Sequence, residues 1–113
     1  MTSNEFRSIA LSFPEVEESS HFNHPDFRVG GKIFATLGYP RRGWGMVKLT
    51  PKQQQSFVEV HPDTFVPVKG KWGLRGATTV LLRLARKAEL RKALVVAWRN
   101  AAPKRLTDQI DVQ

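Results

Sequence analysis

Apolar residues at helical spacing mark the beginning of the chain. Residues 2–13 (TSNEFRSIALSF) place four apolar side chains on one helical face: Phe6, Ile9, Ala10 and Phe13. Thr2 followed by Glu5 is the signature of a capping box, in which each side chain binds the other residue's backbone amide. Pro14 comes next and cannot continue a helix, so the pattern predicts an N-terminal helix that ends there.

The same spacing returns near the other end of the chain. Residues 86–102 (RKAELRKALVVAWRNAA) carry a second apolar helical face, formed by Leu90, Leu94, Ala97, Trp98 and Ala101. Pro103 follows as a stop signal. Trp98 lies on the apolar face, which predicts that its ring packs in the core. The basic side chains of this segment spread around the other side, as is typical of a solvated helix face.

Between these two helices the apolar pattern changes to period two. The pair Gly30-Gly31 separates two short runs, with Phe27 and Val29 before it and Ile33, Ala35 and Leu37 after it. Glycines permit the positive φ angles of a two-residue hairpin turn, so we predict a β-hairpin here. Strict alternation would turn Lys32, Phe34 and Thr36 to the opposite face, where Phe34 indicates partial cover by another element.

Further elements follow the hairpin. Strands are predicted at 44–51 (WGMVKLTP) and at 77–85 (ATTVLLRLA), the latter with a helix as the alternative. The first of these strands places three side chains on one face: Trp44, Met46 and Lys48. Residues 52–60 predict a short helix or an irregular turn. Residues 61–76 predict short strands and turns, because prolines and glycines interrupt them.

This order of elements predicts an α+β fold. One antiparallel sheet would carry the N-terminal and C-terminal helices on one face, leaving the other face open to solvent or to a partner. A length of 113 residues suits a single domain over residues 1–113, with a frayed tail at 107–113 (TDQIDVQ).

Positive charge is concentrated in the second half of the chain. The sequence has 18 Lys and Arg against 10 Asp and Glu, a formal net charge of +8. Residues 1–60 hold 7 basic and 6 acidic residues, whereas residues 61–113 hold 11 basic and 4 acidic residues. This imbalance favours a polyanionic partner such as nucleic acid, with a merely soluble basic protein as the alternative.

Cysteine usage and hydropathy point to a compartment. The sequence contains no cysteine, which excludes disulfides and thiolate metal sites and fits the reducing cytoplasm. No apolar run approaches the roughly 20 residues of a membrane span, and the N-terminal segment does not resemble a secretory signal. We therefore expect a cytoplasmic monomer without membrane contact.

Seven cationic residues lie in predicted strands and turns, and they are candidate phosphate-binding residues: Lys32, Arg41, Arg42, Lys48, Lys69, Lys71 and Arg75. Arginine binds phosphate oxygens in pairs, and lysine supplies a mobile point charge. The turn at 41–42 and the turn at 69–75 are predicted to form the tips of two wings. The alternative is that these are ordinary solvated charges.

Aromatic residues lie among these cations. Trp44, Trp72 and Tyr39 would stack on bases or hold a single strand, and the alternative is that they close the edge of the sheet. Trp72, inside KGKWGLRG, is added to the candidate nucleic-acid-binding residues.

No metal site, catalytic site or cofactor site is predicted. The motif HFNHPD (21–26) holds His21, His24 and Asp26, but His61 stands alone and no second cluster of metal ligands supports a site. The segment GLRG (73–76) lies between predicted strands rather than before a helix, unlike a phosphate-binding loop. We expect a protein that is not an enzyme and has no cofactor.

Four separated pieces of the chain also resemble a known family: FPEVEESSHFNHPDFRVGGKIFATL, the KL of MVKLTP, GKWGLRG and ALVVAWRNAAPKRL. They extend over roughly residues 5–106 and resemble the MmcQ/YjbR family of small DNA-binding-like proteins. The resemblance implies a double-wing arrangement and a fold similar to that of the frataxin homologue CyaY, and it implies no catalytic residues. Iron delivery would need a dense acidic ridge, whereas the first helix has only Glu5.

Three functional hypotheses result. The first is a non-catalytic DNA-binding module that contacts backbone phosphates with low sequence specificity, because no recognition helix with Asn, Gln or Arg in its first turn is evident. The second is a protein-interaction domain that uses the half-open sheet or the acidic segment EVEE (15–18). The third is a binder of a small anionic ligand in a pocket lined by Trp72 and Lys48.

Overall fold

A six-stranded antiparallel sheet forms the centre of the protein. The computed structural model describes residues 1–39 and 41–108. The strands are β1 (Glu17–His21), β2 (His24–Val29), β3 (Lys32–Leu37), β4 (Trp44–Lys48), β5 (Phe65–Pro67) and β6 (Ala77–Leu81), in the spatial order β1-β2-β3-β4-β6-β5. The helices are α1 (Ser3–Leu11), α2 (Pro51–Val60), α3 (Lys71–Leu74), α4 (Lys87–Ala101) and α5 (Lys104–Thr107).

The predicted N-terminal helix is confirmed, together with its cap. Thr2 Oγ1 accepts a hydrogen bond from the Glu5 N–H at 3.1 Å, and Glu5 Oε1 accepts one from the Thr2 N–H at 2.9 Å. Phe6 and Ala10 are buried on the inner face of α1, and Phe13 is buried just beyond its end.

The predicted C-terminal helix is also confirmed. Its apolar face is buried, and Trp98 is fully enclosed, as the sequence predicted. The indole N–H of Trp98 donates to the carbonyl oxygen of Pro14 at 3.2 Å, which ties α4 to the end of the N-terminal segment. Because α4 packs against both α1 and the central strands β3 and β4, the two terminal helices cover one face of the sheet.

The hairpin around the glycine pair forms as predicted, with one irregularity. Gly30 and Gly31 have φ angles of 58° and 78°, which suit a tight turn between β2 and β3. The register then shifts, because Phe27 pairs with Ala35 whereas Arg28 pairs with Ile33. Phe34 is therefore the extra residue of a β-bulge, and it lies fully buried in the core. The strict alternation predicted for this strand was wrong at that point.

The strand register decides which side chains share a face. One row faces the helices, as shown by the rings of Phe6 and Phe27, whose centroids are 6.0 Å apart; its members include Phe27, Ala35 and Val47. The opposite side of the sheet, which we call the outer face, carries the row of Asp26, Thr36, Met46 and Thr79. By alternation along β4, Trp44 and Lys48 also belong to the outer face.

The connections differ from the sequence prediction in four places. The strand predicted over 44–51 ends at Lys48, and Pro51 already begins α2. The stretch 61–76 contains β5, as predicted, but also the four-residue helix α3. The strand predicted over 77–85 ends at Leu81 and continues as a 3-10 turn at Leu82–Leu84. The predicted frayed tail begins in an ordered helix, because Thr107 ends α5 and Asp108 caps it; the rest of that tail, 109–113, lies outside the described residues.

The α+β architecture with both terminal helices on one face is thus the observed fold. The helix α4 spans 15 residues. Over residues 1–39 and 41–108, no helix combines the length and the apolar character that crossing a membrane requires.

Candidate functional site

A groove of about 530 Å³ opens at one end of the sheet. It lies where the β2–β3 turn, the end of β4, the start of α2 and the end of α4 come together. Its lining consists of Arg28, Gly31, Lys32, Ile33, Lys48, Leu49, Thr50, Pro51, Arg75, Ala97, Asn100 and Ala101. The groove therefore combines apolar walls with a set of positive charges.

Four cationic side chains line this groove: Arg28, Lys32, Lys48 and Arg75. The described residues that line it include no aspartate and no glutamate. Three of the four, Lys32, Lys48 and Arg75, belong to the set predicted from the sequence, although 43 positions separate the first from the last. The fold brings them together, and the local potential is expected to be positive.

The position of Arg75 depends on a glycine. Gly76 has φ 111°, and a side chain there would collide with the backbone carbonyl of Leu49. The close approach allows the Leu49 N–H to donate to the Gly76 carbonyl oxygen at 3.3 Å. The turn after α3 is thereby held against the end of β4, which places Arg75 beside the groove.

Asn100 fixes the floor of the groove. Its Nδ2 donates to the Lys48 carbonyl oxygen at 3.2 Å and to Gln53 Oε1 at 2.8 Å. One side chain thus links the end of α4 to β4 and to the first turn of α2. The backbone that carries Lys48 is therefore held in a defined place.

Arg28 is the groove cation that the sequence analysis missed. Its Nε donates to Asp26 Oδ1 at 2.8 Å, and its Nη2 donates to Asp26 Oδ2 at 3.1 Å. His21 Nδ1 lies 2.8 Å from the same Oδ2. The Arg28 guanidinium, followed by the His21 contact, holds the pKa of the buried Asp26 carboxyl below its usual value. This ion pair could have been predicted from the sequence, because Asp26 and Arg28 are two residues apart on one strand and so share a face.

Lys48 is the groove cation with the most restricted surroundings. It is half-buried, and burial lowers the pKa of its ammonium group because fewer waters solvate the charge. Its Nζ lies 5.2 Å from the ring centroid of Trp72, which is a cation–π contact. A partly desolvated ammonium has fewer water molecules to accept its hydrogen bonds, and a phosphate oxygen would serve as an acceptor in their place.

The remaining predicted cations lie elsewhere. Lys69 and Lys71 are exposed on the connection that carries α3, at the same end of the sheet as Lys48, but they do not line the groove. Arg41 and Arg42 are exposed in the β3–β4 turn, at the opposite end of β4. The two turns predicted as wing tips thus lie at opposite ends of the sheet.

The seven predicted cations also share one property. In the part of the chain that the structure describes, none of them forms an ion pair with a carboxylate; the ion pairs there use Arg7, His21, Arg28, His61, Lys87 and Arg105. The acidic segment at 15–18 is engaged on the helix side, where Glu15 binds Arg105 at 2.8 Å and Glu18 binds Arg7 at 2.9 Å.

The histidine motif at 21–26 has a structural arrangement. His21 contacts Asp26, and the ring of His24 lies edge-on to the ring of Tyr39, with centroids 5.5 Å apart. Within residues 1–39 and 41–108, no three His, Asp or Glu side chains are grouped in a way that would hold a metal ion.

Comparisons with known proteins agree with this architecture. The model of the YjbR family matches residues 11–100. The crystal structure of the Deinococcus radiodurans protein DR2400, which has a DUF419 domain, superposes with a TM-score of 0.73 at 17% identity, covering 96% of this chain and 86% of that chain. A crystal structure from Pseudomonas syringae gives a TM-score of 0.66 at 13% identity, covering 89% of this chain and 99% of that one. No curated protein matches the sequence.

The match places this protein in a class of small α+β proteins whose antiparallel sheet carries helices on one face. The chain belongs to the YjbR family, because the family model covers most of its length. The resemblance noted in the sequence is confirmed. At these identities the two solved structures show the fold and leave the activity open.

Proposed function

We propose that this protein is a non-catalytic nucleic-acid-binding module, with DNA as its ligand, and that the groove at the Lys48 end of the sheet receives backbone phosphates. One observation carries the proposal: four cations line one groove whose described lining contains no carboxylate, and Lys32, Lys48 and Arg75 form no ion pair among the described residues, whereas Arg28 is paired with the buried Asp26. Because ligand charge and groove charge are complementary, association would release counterions and weaken with salt.

Low sequence specificity follows from where the cations lie. Lys32, Lys48 and Arg75 are on strand ends and turns rather than along one exposed helix, so they contact phosphates more readily than base edges in a duplex groove. Arg75 would bind two phosphate oxygens through its guanidinium, and the lysines would supply point charges.

The test is a titration of a mixed-sequence, single-stranded DNA oligonucleotide at about 50 and 200 mM salt. We expect the groove variant Lys32→Ala/Lys48→Ala/Arg75→Ala to bind roughly 10- to 100-fold more weakly at low salt. Its plot of log affinity against log salt concentration should be shallower by about 2, because each lost contact to a single strand removes about 0.7 from the slope.

The matched control removes the same charge elsewhere. Arg83, Arg86 and Lys92 are exposed and do not line the groove. The variant Arg83→Ala/Arg86→Ala/Lys92→Ala should keep most of the affinity. Equal losses in the two variants would mean that net charge alone attracts the DNA, and the groove proposal would be wrong.

A small anionic ligand is the second candidate, and the size of the groove favours it. A volume of about 530 Å³ falls within the usual range of small-molecule pockets, roughly 300–1,000 Å³. Ile33, Leu49 and Ala97 supply the apolar walls that such pockets have. Thermal unfolding with a nucleoside monophosphate, and titration of both ligands, separate the two candidates. If the monophosphate raises the unfolding temperature and the oligonucleotide binds no more tightly than the monophosphate, the small ligand is selected.

A further inference from the structure

A cation–π pair lies at each end of strand β4. At one end, Lys48 Nζ lies 5.2 Å from the centroid of the Trp72 ring. At the other end, the Arg41 guanidinium lies 5.7 Å from the centroid of the Trp44 ring. Trp44 and Lys48 are four residues apart on one face, so the two pairs are separated by roughly 13 Å along the strand.

Trp72 is accessible in a way that core packing does not explain. The residue is 62% exposed, whereas Trp98, which serves the core, has no exposed surface. Trp72 lies in the four-residue helix α3, and Tyr39, in the β3–β4 connection that also carries Arg41, is 60% exposed. Large aromatic surfaces beside cations, left open to solvent, are what a nucleic-acid stacking platform requires.

Stacking on these rings selects the form of the nucleic acid. In a duplex, each base is already stacked between its neighbours, so a protein ring reaches its flat face only after unpairing. In a single strand the bases are free to turn outward, and each has a flat face that fits any aromatic ring. Cations alone would bind both forms, whereas exposed aromatic rings add affinity for the single strand only.

We infer that single-stranded nucleic acid binds across the groove and the adjoining outer face, with one base stacked on Trp72, neighbouring phosphates at the groove cations Lys32, Lys48 and Arg75, and the strand running along β4 towards Trp44 and Arg41. The inference rests on the proposed function and adds to it the form of the ligand and its path. The groove cations would attract single-stranded and duplex nucleic acid alike. Stacking on Trp72 would add affinity for the single strand and so distinguish it from the duplex.

The experiment compares one oligonucleotide as a single strand and as a duplex. Wild-type protein should bind the single strand more tightly, and Trp72→Leu should weaken that binding roughly 5- to 100-fold while leaving duplex binding unchanged. Phe22→Leu is the matched control, because Phe22 is 89% exposed at the β1–β2 turn and carries no role in this proposal. It should bind both forms like wild type.

A second variant keeps the test independent of folding. Trp72→Phe retains a ring, so it should fold and bind the single strand nearly normally. Single-stranded DNA should quench the tryptophan fluorescence of wild-type protein more strongly than that of Trp72→Phe, because base stacking quenches the indole at position 72. Equal quenching in the two proteins would contradict the stacking.

The outcomes separate the two proposals. Equal affinity for both forms, with no effect of Trp72→Leu but a large effect of the groove variant, would overturn the single-strand inference and leave the proposed function intact. If the groove variant bound the single strand and the duplex as tightly as wild type, both the proposed function and the single-strand inference would be overturned. Trp72→Leu weakening both forms equally would also overturn the inference, since the residue would then act on the shape of the groove.

Discussion

Asp26 is fully buried although it lies on the face of the sheet opposite the two terminal helices. Its carboxylate accepts two hydrogen bonds from Arg28 and contacts His21, so the charge is compensated on three sides. The fixed carboxylate in turn orients Arg28, whose side chain lines the groove. At the scale of single residues, a buried anion thus supports the placement of a cation at the candidate site.

This arrangement predicts acid sensitivity. The Arg28 hydrogen bonds lower the pKa of Asp26 in the folded protein, so the folded state binds fewer protons than the unfolded chain at mildly acid pH. The stabilisation is therefore complete above the unfolded Asp pKa of about 3.9 and is lost as pH falls through the lowered folded value. Urea unfolding at a series of pH values should show stability falling below about pH 4.

The variant Asp26→Asn isolates the contribution of this carboxylate. It should cost about 1–3 kcal/mol at neutral pH, because Arg28 loses its charged acceptor. Its stability should also fall less steeply below about pH 4 than that of wild type. The difference between the two profiles reports on Asp26, since both proteins keep Glu5 and Glu15, whose pKa values are also lowered. Parallel profiles would contradict the assignment.

Lys48 is predicted to favour binding at the expense of stability. Burial lowers the pKa of its ammonium group, which means that the fold disfavours the charge. Lys48→Met keeps the unbranched chain against Trp72 and removes the charge. We expect a free energy of unfolding equal to wild type or higher by up to about 1 kcal/mol, together with weaker oligonucleotide binding.

Lys92→Met is the control for this substitution, because Lys92 is exposed on α4 and does not line the groove. It should change neither stability nor affinity appreciably. Chemical denaturation and oligonucleotide titration of the two variants give the comparison. A loss of more than about 1 kcal/mol in Lys48→Met would show that the lysine charge stabilises the fold, against this prediction.

At the scale of elements, α3 is held by contacts distant in sequence. Gln54 Nε2, from α2, donates to the carbonyl oxygens of Gly73 at 3.0 Å and Ala77 at 2.9 Å. The backbone of Gly73 also approaches Val68 so closely that a Cβ would collide with the Val68 carbonyl. The short helix that carries Trp72 therefore depends on tight packing of two backbones.

Gly73→Ala should consequently destabilise the protein. Alanine is normally the better helix former, by about 1 kcal/mol, so intrinsic propensity predicts a gain. The collision with Val68 should reverse the sign and cost about 1–3 kcal/mol, as in other overpacked positions. Leu74→Ala is the control in the same helix, because Leu74 is exposed, and it should stay within about 0.5 kcal/mol of wild type in urea unfolding. A neutral Gly73→Ala would contradict the close approach.

The elements differ in how far the sequence predicted them. The hairpin was predictable because Gly30-Gly31 and the flanking alternation are local signals. The bulge at Phe34 has no local signal, since it reflects the pairing of β2 with β3 and the burial of that ring. The helix α3 was missed because the glycines of KGKWGLRG indicate turns, whereas its stability comes from Gln54 and Val68.

At the scale of the whole molecule, the pairing of charges differs between the surroundings of the terminal helices and the groove. Near the terminal helices, three glutamates pair with cations: Glu5 with Lys87, Glu15 with Arg105 and Glu18 with Arg7. The charged side chains among the described lining residues of the groove are all cations, and Arg28 is the one of the four that is paired, with the buried Asp26. Unpaired positive charge is therefore gathered at the groove, and under the proposed function we expect a polyanion to dock there.

The groove also shows which part of the candidate site was predictable from the sequence. Residue type and position in a strand or turn identified Lys32, Lys48 and Arg75 as candidates. The sequence did not show which turns meet at the same end of the sheet, because the order β4-β6-β5 arises from pairings between distant segments. Arg41 and Arg42 were therefore grouped with the turn at 69–75, although they lie at the other end of β4.

The unpaired cations at the groove also predict a kinetic difference between two variants of equal net charge. Lys32→Glu/Arg75→Glu places the reversed charges at the groove, and Arg83→Glu/Lys92→Glu places them elsewhere; each lowers the net charge from +8 by the same amount. Long-range steering depends on the overall field, so both should slow association with a DNA oligonucleotide, whereas contacts in the bound state depend on location. Only the groove variant should therefore dissociate faster, by roughly tenfold or more, in surface plasmon resonance at low salt. If the two variants dissociated at the same rate, the bound DNA would not lie in the groove, and positive charge anywhere on the molecule would account for the binding.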